Sequence, residues 1–128
     1  FYFKRIIFLV LENFSVLTGS ELKLLKGLEL GCSGIISATC NATAPLARKV
    51  YDDFFAKKEQ THNEKLCNVR KTFDQFNLIS GLHSFFMNEN RMYENILPPL
   101  SLLNSSDREK LFEDLKKLNF NLKETKAA

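Results

Sequence analysis

Two groups of polar residues in this chain each follow a short apolar run. Gly19, Ser20 and Glu21 come after residues 14–17, and Ser37, Thr39 and Asn41 come after Ile35-Ile36. Gathered at one rim, such hydroxyl, amide and carboxyl groups can hold a small polar ligand. A helical period follows each run. Leu22, Leu25 and Leu28 follow the first and stop at Gly31; Leu46, Val50 and Phe54 follow the second. Strands alternating with helical patterns imply a parallel sheet. In such sheets ligands bind outside the carboxyl ends of the strands, where these six residues fall.

The elements that must position them read as follows. Residues 14–18 form a strand. Thr18-Gly19-Ser20-Glu21 matches a T-x-x-E capping box and starts a helix to about Leu30. Gly31 and Gly34 bracket the turn into a second strand, residues 34–38. Thr43-Ala44-Pro45 opens the next helix, with Pro in its first turn, and that helix runs to about Lys57. Beyond it the patterns are helical only. Leu66, Val69, Phe73 and Phe76 form one apolar face, and Ile79, Leu82, Phe85 and Phe86 another. Pro98-Pro99 marks a rigid extended loop. Ser106 to Glu109 is a second capping box, ahead of Leu111, Phe112, Leu115 and Leu118. Residues 122–128 read as a frayed end.

Composition narrows the function classes. The chain has 128 residues, 45% hydrophobic and 26% charged, which suits one globular domain with a core. Eighteen basic and fifteen acidic residues interleave, giving a net charge of +3. No basic face with aromatics emerges, so nucleic acid is not an expected partner. Cys32, Cys40 and Cys67 have no CxxC spacing and read as reduced thiols of a cytoplasmic protein, Cys32 and Cys40 packing as small apolar residues. The apolar run 6–11 is far short of the roughly 20 residues a membrane span needs. His62 and His83 lack partners at metal spacing, so no metal site is assigned. No cofactor is implied. Phe85, Phe86 and Met87 read as core packing.

The order V-L-T-G-S-E, G-C-S-G-I-I-S-A-T-C-N, A-P-L-A-R resembles the seventh and eighth strand units of the dihydrodipicolinate synthase / N-acetylneuraminate lyase family. The resemblance continues through Leu78-Ile79-Ser80-Gly81, residues 97–102 and residues 107–120, and covers roughly residues 14–120. It implies an α/β fold: the C-terminal part of a TIM (β/α)8 barrel, with its last two βα units at residues 14–57 and a three-helix C-terminal extension at residues 58–128. Residues 1–13 are set apart as a diverged or non-native segment with a helical pattern over residues 2–12. A complete barrel needs roughly 200 residues or more, so only part of one fits.

The same resemblance implies a function. Members are class I aldolases and lyases that bind pyruvate as a Schiff base on a lysine and condense it with, or release, an aldehyde. They are commonly oligomeric. The lysine lies on the sixth strand in a motif like G-x-K-[DE]-[SA], which this chain lacks. Lys4 stands too close to residue 14 to allow the intervening helix, and Lys23 and Lys26 fall on an outer helix. No catalytic residue is therefore assigned, and the chain alone is expected to be inactive. The substrate-binding candidates are Gly19, Ser20, Glu21, Ile36, Ser37 and Ala38. Gly19 lines the pocket by its backbone or is a plain turn glycine. Ser20 contacts substrate or serves the first helical turn. Glu21 matches an acidic substrate contact, but the capping box takes precedence. Ile36 offers its backbone carbonyl to pyruvate while its side chain enters the core. Ala38 carries no hydroxyl, which weakens a sialic-acid substrate. A truncated, non-catalytic relative acting as an interaction module is the alternative of another class.

Overall fold

The computed structural model describes residues 14–123. The proposed N-terminal helix and most of the frayed end lie outside them. Strand β1 (Leu17–Thr18) leads through a 3-10 turn (Glu21–Lys23) into helix α1 (Leu24–Glu29). Strand β2 (Gly34–Ile35) leads into α2 (Cys40–Phe55). Helices α3 (Asn63–Phe73), α4 (Leu78–Phe86) and α5 (Ser105–Lys117) follow, with a second 3-10 turn at Arg91–Glu94.

The strands pair in parallel, Leu17 opposite Gly34 and Thr18 opposite Ile35. Both are shorter than their sequence patterns imply. The ladder continues only as Ser33 N–H to Val16 O (2.7 Å) and Ile36 N–H to Thr18 O (2.9 Å). Among the described residues the sheet has two strands, so each has an open outer edge and little to extend its ladder.

The first helix starts differently from the T-x-x-E reading. Ser20, not Thr18, caps the turn, its side chain accepting from Leu22 N–H. Thr18 is fully buried, its hydroxyl donating to Gly34 O (3.4 Å). The inward face of α1 is Leu24, Gly27 and Leu28, while Leu22 is 41% exposed. That register follows from Gly27, whose bare Cα lies against the Thr18 methyl group. Gly31, at φ 92°, closes the helix with Gly31 N–H to Leu28 O and Cys32 N–H to Gly27 O, a Schellman ending.

Helix α2 begins at Cys40 rather than at Thr43, so Pro45 lies in its second turn and removes one helical donor. Its first turn is tightened by bonds from Cys40 to Ser37 O and from Asn41 to Ala38 O. At α5 the cap also moves. Asn104 accepts from Asp107 N–H (2.9 Å) and donates back to its carboxylate (2.8 Å), two residues ahead of the Ser106 box.

One core joins the helices. It contains Leu24, Leu28, Leu46, Val50, Leu66, Val69, Phe73, Leu82, Phe85, Leu111 and Leu115. Phe73 meets Phe85 edge-on at 5.6 Å, and Phe86 is buried beside it, so the aromatic cluster is core as its sequence implied. Ile79, placed on the buried face by its spacing, is 38% exposed.

Gly27→Ala should drive a methyl group into Thr18 and cost about 1–3 kcal/mol, the usual penalty of overpacking. Adding Thr18→Ser removes the opposing methyl and should recover much of that loss. Chemical denaturation of the two single variants and the double variant measures this; strictly additive costs contradict the contact.

Candidate functional site

The parallel register brings the two strand exits side by side, and a buried ion pair ties them down. Glu21 leaves β1 and turns inward rather than back toward Thr18, and it has no exposed surface. Its Oε1 accepts from Thr43 Oγ1 (2.9 Å) and from the Cys40 thiol (3.5 Å). Its Oε2 accepts from Ser37 Oγ (3.0 Å) and from Arg70 Nη1 (3.0 Å). Arg70 Nη1 also reaches Ser37 Oγ and Thr39 Oγ1, both at 3.1 Å. Its Nε donates to Asp74 Oδ1 at 2.8 Å, one turn along α3. The exits of β1 and β2, the start of α2 and the last turn of α3 thus share one carboxylate.

Burial pushes the Glu21 carboxyl up. The Glu21 backbone N–H, Arg70, Thr43 and Ser37 together outweigh that and hold it below its ordinary value. With both oxygens taken by donors, Glu21 is an anchored anion. It has neither the exposure nor the free lone pair that a substrate contact or a general base requires. The capping-box role is overturned as well, because the carboxylate faces α3 and not the Thr18 amide.

The other sequence candidates lie on the accessible side of this network. Gly19 is exposed, lacks the left-handed backbone that demands glycine, and would meet no atom within 4 Å if it carried a Cβ. The plain-turn reading therefore has no backbone or packing reason behind it. Ser20 is half-buried and caps the 3-10 turn. Ser37 is half-buried, its hydroxyl held in the network. Ile36 corrects its expectation: its side chain is 71% exposed, because no further strand covers that face among the described residues. Ala38 and Asn41 border a cavity of about 280 Å³ whose far wall is Ile79, Leu82, His83, Phe86 and Tyr93. This explains the partial exposure of Ile79.

Arg70 carried no motif in the sequence. The available signal was its place on α3 one turn before Asp74, with Val69 and Phe73 setting the buried face beside it. Cys40 also differs from its expected apolar role. Its thiol is half-buried against the Glu21 carboxylate and pushed up to about 11, first by burial and then by that negative charge. Cys32 is buried, as expected. His83 Nδ1 lies 2.9 Å from Tyr93 O, and His62 Nδ1 lies 3.5 Å from Asp53 Oδ2. Among the described residues no three His, Cys, Asp or Glu side chains form a metal-binding group, and no helix is long and apolar enough to cross a membrane.

Parallel βα units with polar residues at adjacent strand exits define part of an α/β fold, the class in which ligands bind at the carboxyl end of the sheet. The model of the Dihydrodipicolinate synthetase family matches residues 2–118, and the chain belongs to that family. The match begins well before residue 14, where the resemblance traced in the sequence starts. A dihydrodipicolinate synthase from Bacillus anthracis superposes with a TM-score of 0.78 at 19% identity, over 88% of this chain and 40% of that one. A structure described as the first monomeric dihydrodipicolinate synthase variant gives 0.80 at 18% identity, over 92% and 41%. The chain therefore spans about two-fifths of the length of the solved structures it matches. No curated protein matches it.

Glu21→Gln keeps the shape and removes the charge. Breaking a buried pair from one side costs about 3–5 kcal/mol. Because the carboxyl is depressed, the stability it adds is complete above the ordinary value of 4.5 and is lost as pH falls through the lower folded value. The stability gap between wild type and Glu21→Gln should be widest at neutral pH and shrink in acid; a gap independent of pH contradicts the pairing. Iodoacetamide should label Cys40 slowly at neutral pH and faster in Glu21→Gln. Equal rates in the two proteins contradict the thiol–carboxylate contact.

Proposed function

We propose that this chain supplies the last two βα units and the helical C-terminal extension of a TIM (β/α)8 barrel in a pyruvate-dependent class I aldolase. The observation that carries the reading is the joined exit of the two strands. Ile36 N–H donates to Thr18 O at 2.9 Å, which sets Gly19-Ser20 beside Ser37-Ala38 on one rim. Family membership supports the chemistry we assign to that rim. A neutral lysine amine attacks the keto group of pyruvate and water leaves as the Schiff base forms; loss of a methyl proton then gives the enamine, whose carbon adds to an aldehyde. The lysine lies outside these 128 residues, so the chain alone does not turn over.

The chain's part is the wall of the site. The Ile36 carbonyl faces pyruvate, and Gly19 and Ser20 flank the aldehyde. Ser37 and Ala38 close the rim, and the cavity beyond Ala38 takes the aldehyde's far end. Glu21 supports this wall from beneath. A dihydrodipicolinate synthase-like condensation is the leading reaction; an N-acetylneuraminate lyase or sugar-acid aldolase is the alternative within the family. The whole protein acts in the cytoplasm as a homo-oligomer.

One observation favours a second reading, an interaction module without catalysis. Phe14, Leu17 and Ile36 are 68%, 46% and 71% exposed beside strand edges that stand open among the described residues, and such edges invite another chain.

Borohydride reduction of the natural-length protein with pyruvate tests the first reading. It should leave a permanent adduct on one lysine outside residues 1–128, and none on the 128-residue chain alone. No adduct in the natural-length protein, or an adduct on a lysine of this chain, overturns it. A soluble, two-state monomer of the 128-residue chain supports the module.

A further inference from the structure

We infer that Arg70 is a positioning residue for the substrate-facing rim, acting through the hydroxyls of Ser37 and Thr39. The inference rests on the functional reading above and deepens it. The rim after β2 is short, and Ala38 within it contributes a methyl group and its main chain. Its position is therefore set by the residues on either side. Both carry hydroxyls, and both hydroxyls meet the same nitrogen, Arg70 Nη1, at 3.1 Å. They also bond each other at 3.2 Å. The guanidinium is itself held at two further points, Glu21 Oε2 at 3.0 Å and Asp74 Oδ1 at 2.8 Å. A planar group fixed by two carboxylates has little freedom left, so what it holds is fixed too. Arg70 comes from α3, the helix that follows the second βα unit. That helix therefore does more than cover the core: it sets the height of the Ile36 carbonyl and the Ala38 methyl above the sheet.

Lysine offers one compact charge in place of a fork. Arg70→Lys can keep the pair with Glu21 but cannot span Ser37, Thr39 and Asp74 together. Thr39→Val keeps the ion pair and the shape while removing one tether. The natural-length protein in both forms is compared with wild type by thermal unfolding, amide exchange and steady-state kinetics with pyruvate. Misplacing a reacting group by about 1 Å can cost on the order of 100-fold in rate. Arg70→Lys should lower kcat/KM by roughly that much, and Thr39→Val by about tenfold. In both, the amides of Ile36, Cys40 and Asn41, which donate to Thr18 O, Ser37 O and Ala38 O, should exchange faster while those of Val50 and Phe73 keep their protection. Unchanged exchange at the rim overturns the inference. So does faster exchange that rises equally in the core, which would mark Arg70 as a general stabiliser. If wild type forms no pyruvate adduct, the functional reading fails by itself, and rim exchange against core exchange still decides the positioning role.

Discussion

The fold depends on a carboxylate placed where water cannot reach it. Glu21 has no exposed surface, and an unpaired charge there would cost several kcal/mol. Four donor side chains remove that cost: Thr43, Cys40, Ser37 and Arg70. They come from the exit of β2, the first turn of α2 and the last turn of α3, so satisfying one anion fixes these segments together. The apolar core under α1 to α5 supplies the larger share of burial energy, but it is tolerant of small slides. The ion pair is not, because its geometry must satisfy both oxygens.

This division of labour explains where the polar residues sit. Hydroxyls at a sheet's carboxyl end are free to bind ligand only if something else does not claim them. Here the network claims Ser37, Thr39 and Thr43. What remains on the accessible side is mostly main chain: Gly19, the Ile36 carbonyl and the neighbourhood of Ala38. A rim made mostly of backbone groups presents them by position rather than by side-chain identity, so its geometry depends on the rigidity beneath it.

The two parallel βα units were legible because period-2 and period-3.6 patterns are local, and Gly31 marked the end of the first. Strand lengths were not, since a strand's extent is set by the neighbours it pairs with and not by its own residues. The T-x-x-E spacing suggested a cap at Thr18, but Thr18 is needed inside, against Gly27. With Thr18 committed, Ser20 takes the cap and the Glu21 side chain is free to turn inward. That Gly19, Ser20, Ser37 and Ala38 lie at the strand exits could be read from the order of the patterns. Arg70 could not, because it lies 49 residues from Glu21 and only tertiary packing brings them together. Ile36 was placed in the core on the assumption of a closed sheet, and its exposure reflects the two strands described.

A double-mutant cycle on Glu21 and Arg70 tests the dependence of the fold on this pair most directly. Glu21→Gln, Arg70→Met and the double variant are unfolded in urea at neutral pH. Arg70→Met leaves the buried Glu21 carboxylate without its countercharge, and Glu21→Gln leaves Arg70 with Asp74 alone, whereas the double change removes both buried charges. The double variant should therefore be more stable than the sum of the single losses allows, by about 1–3 kcal/mol. Losses that simply add would mean that the two side chains stabilise the chain independently, and that the shared carboxylate does not hold the strand exits together.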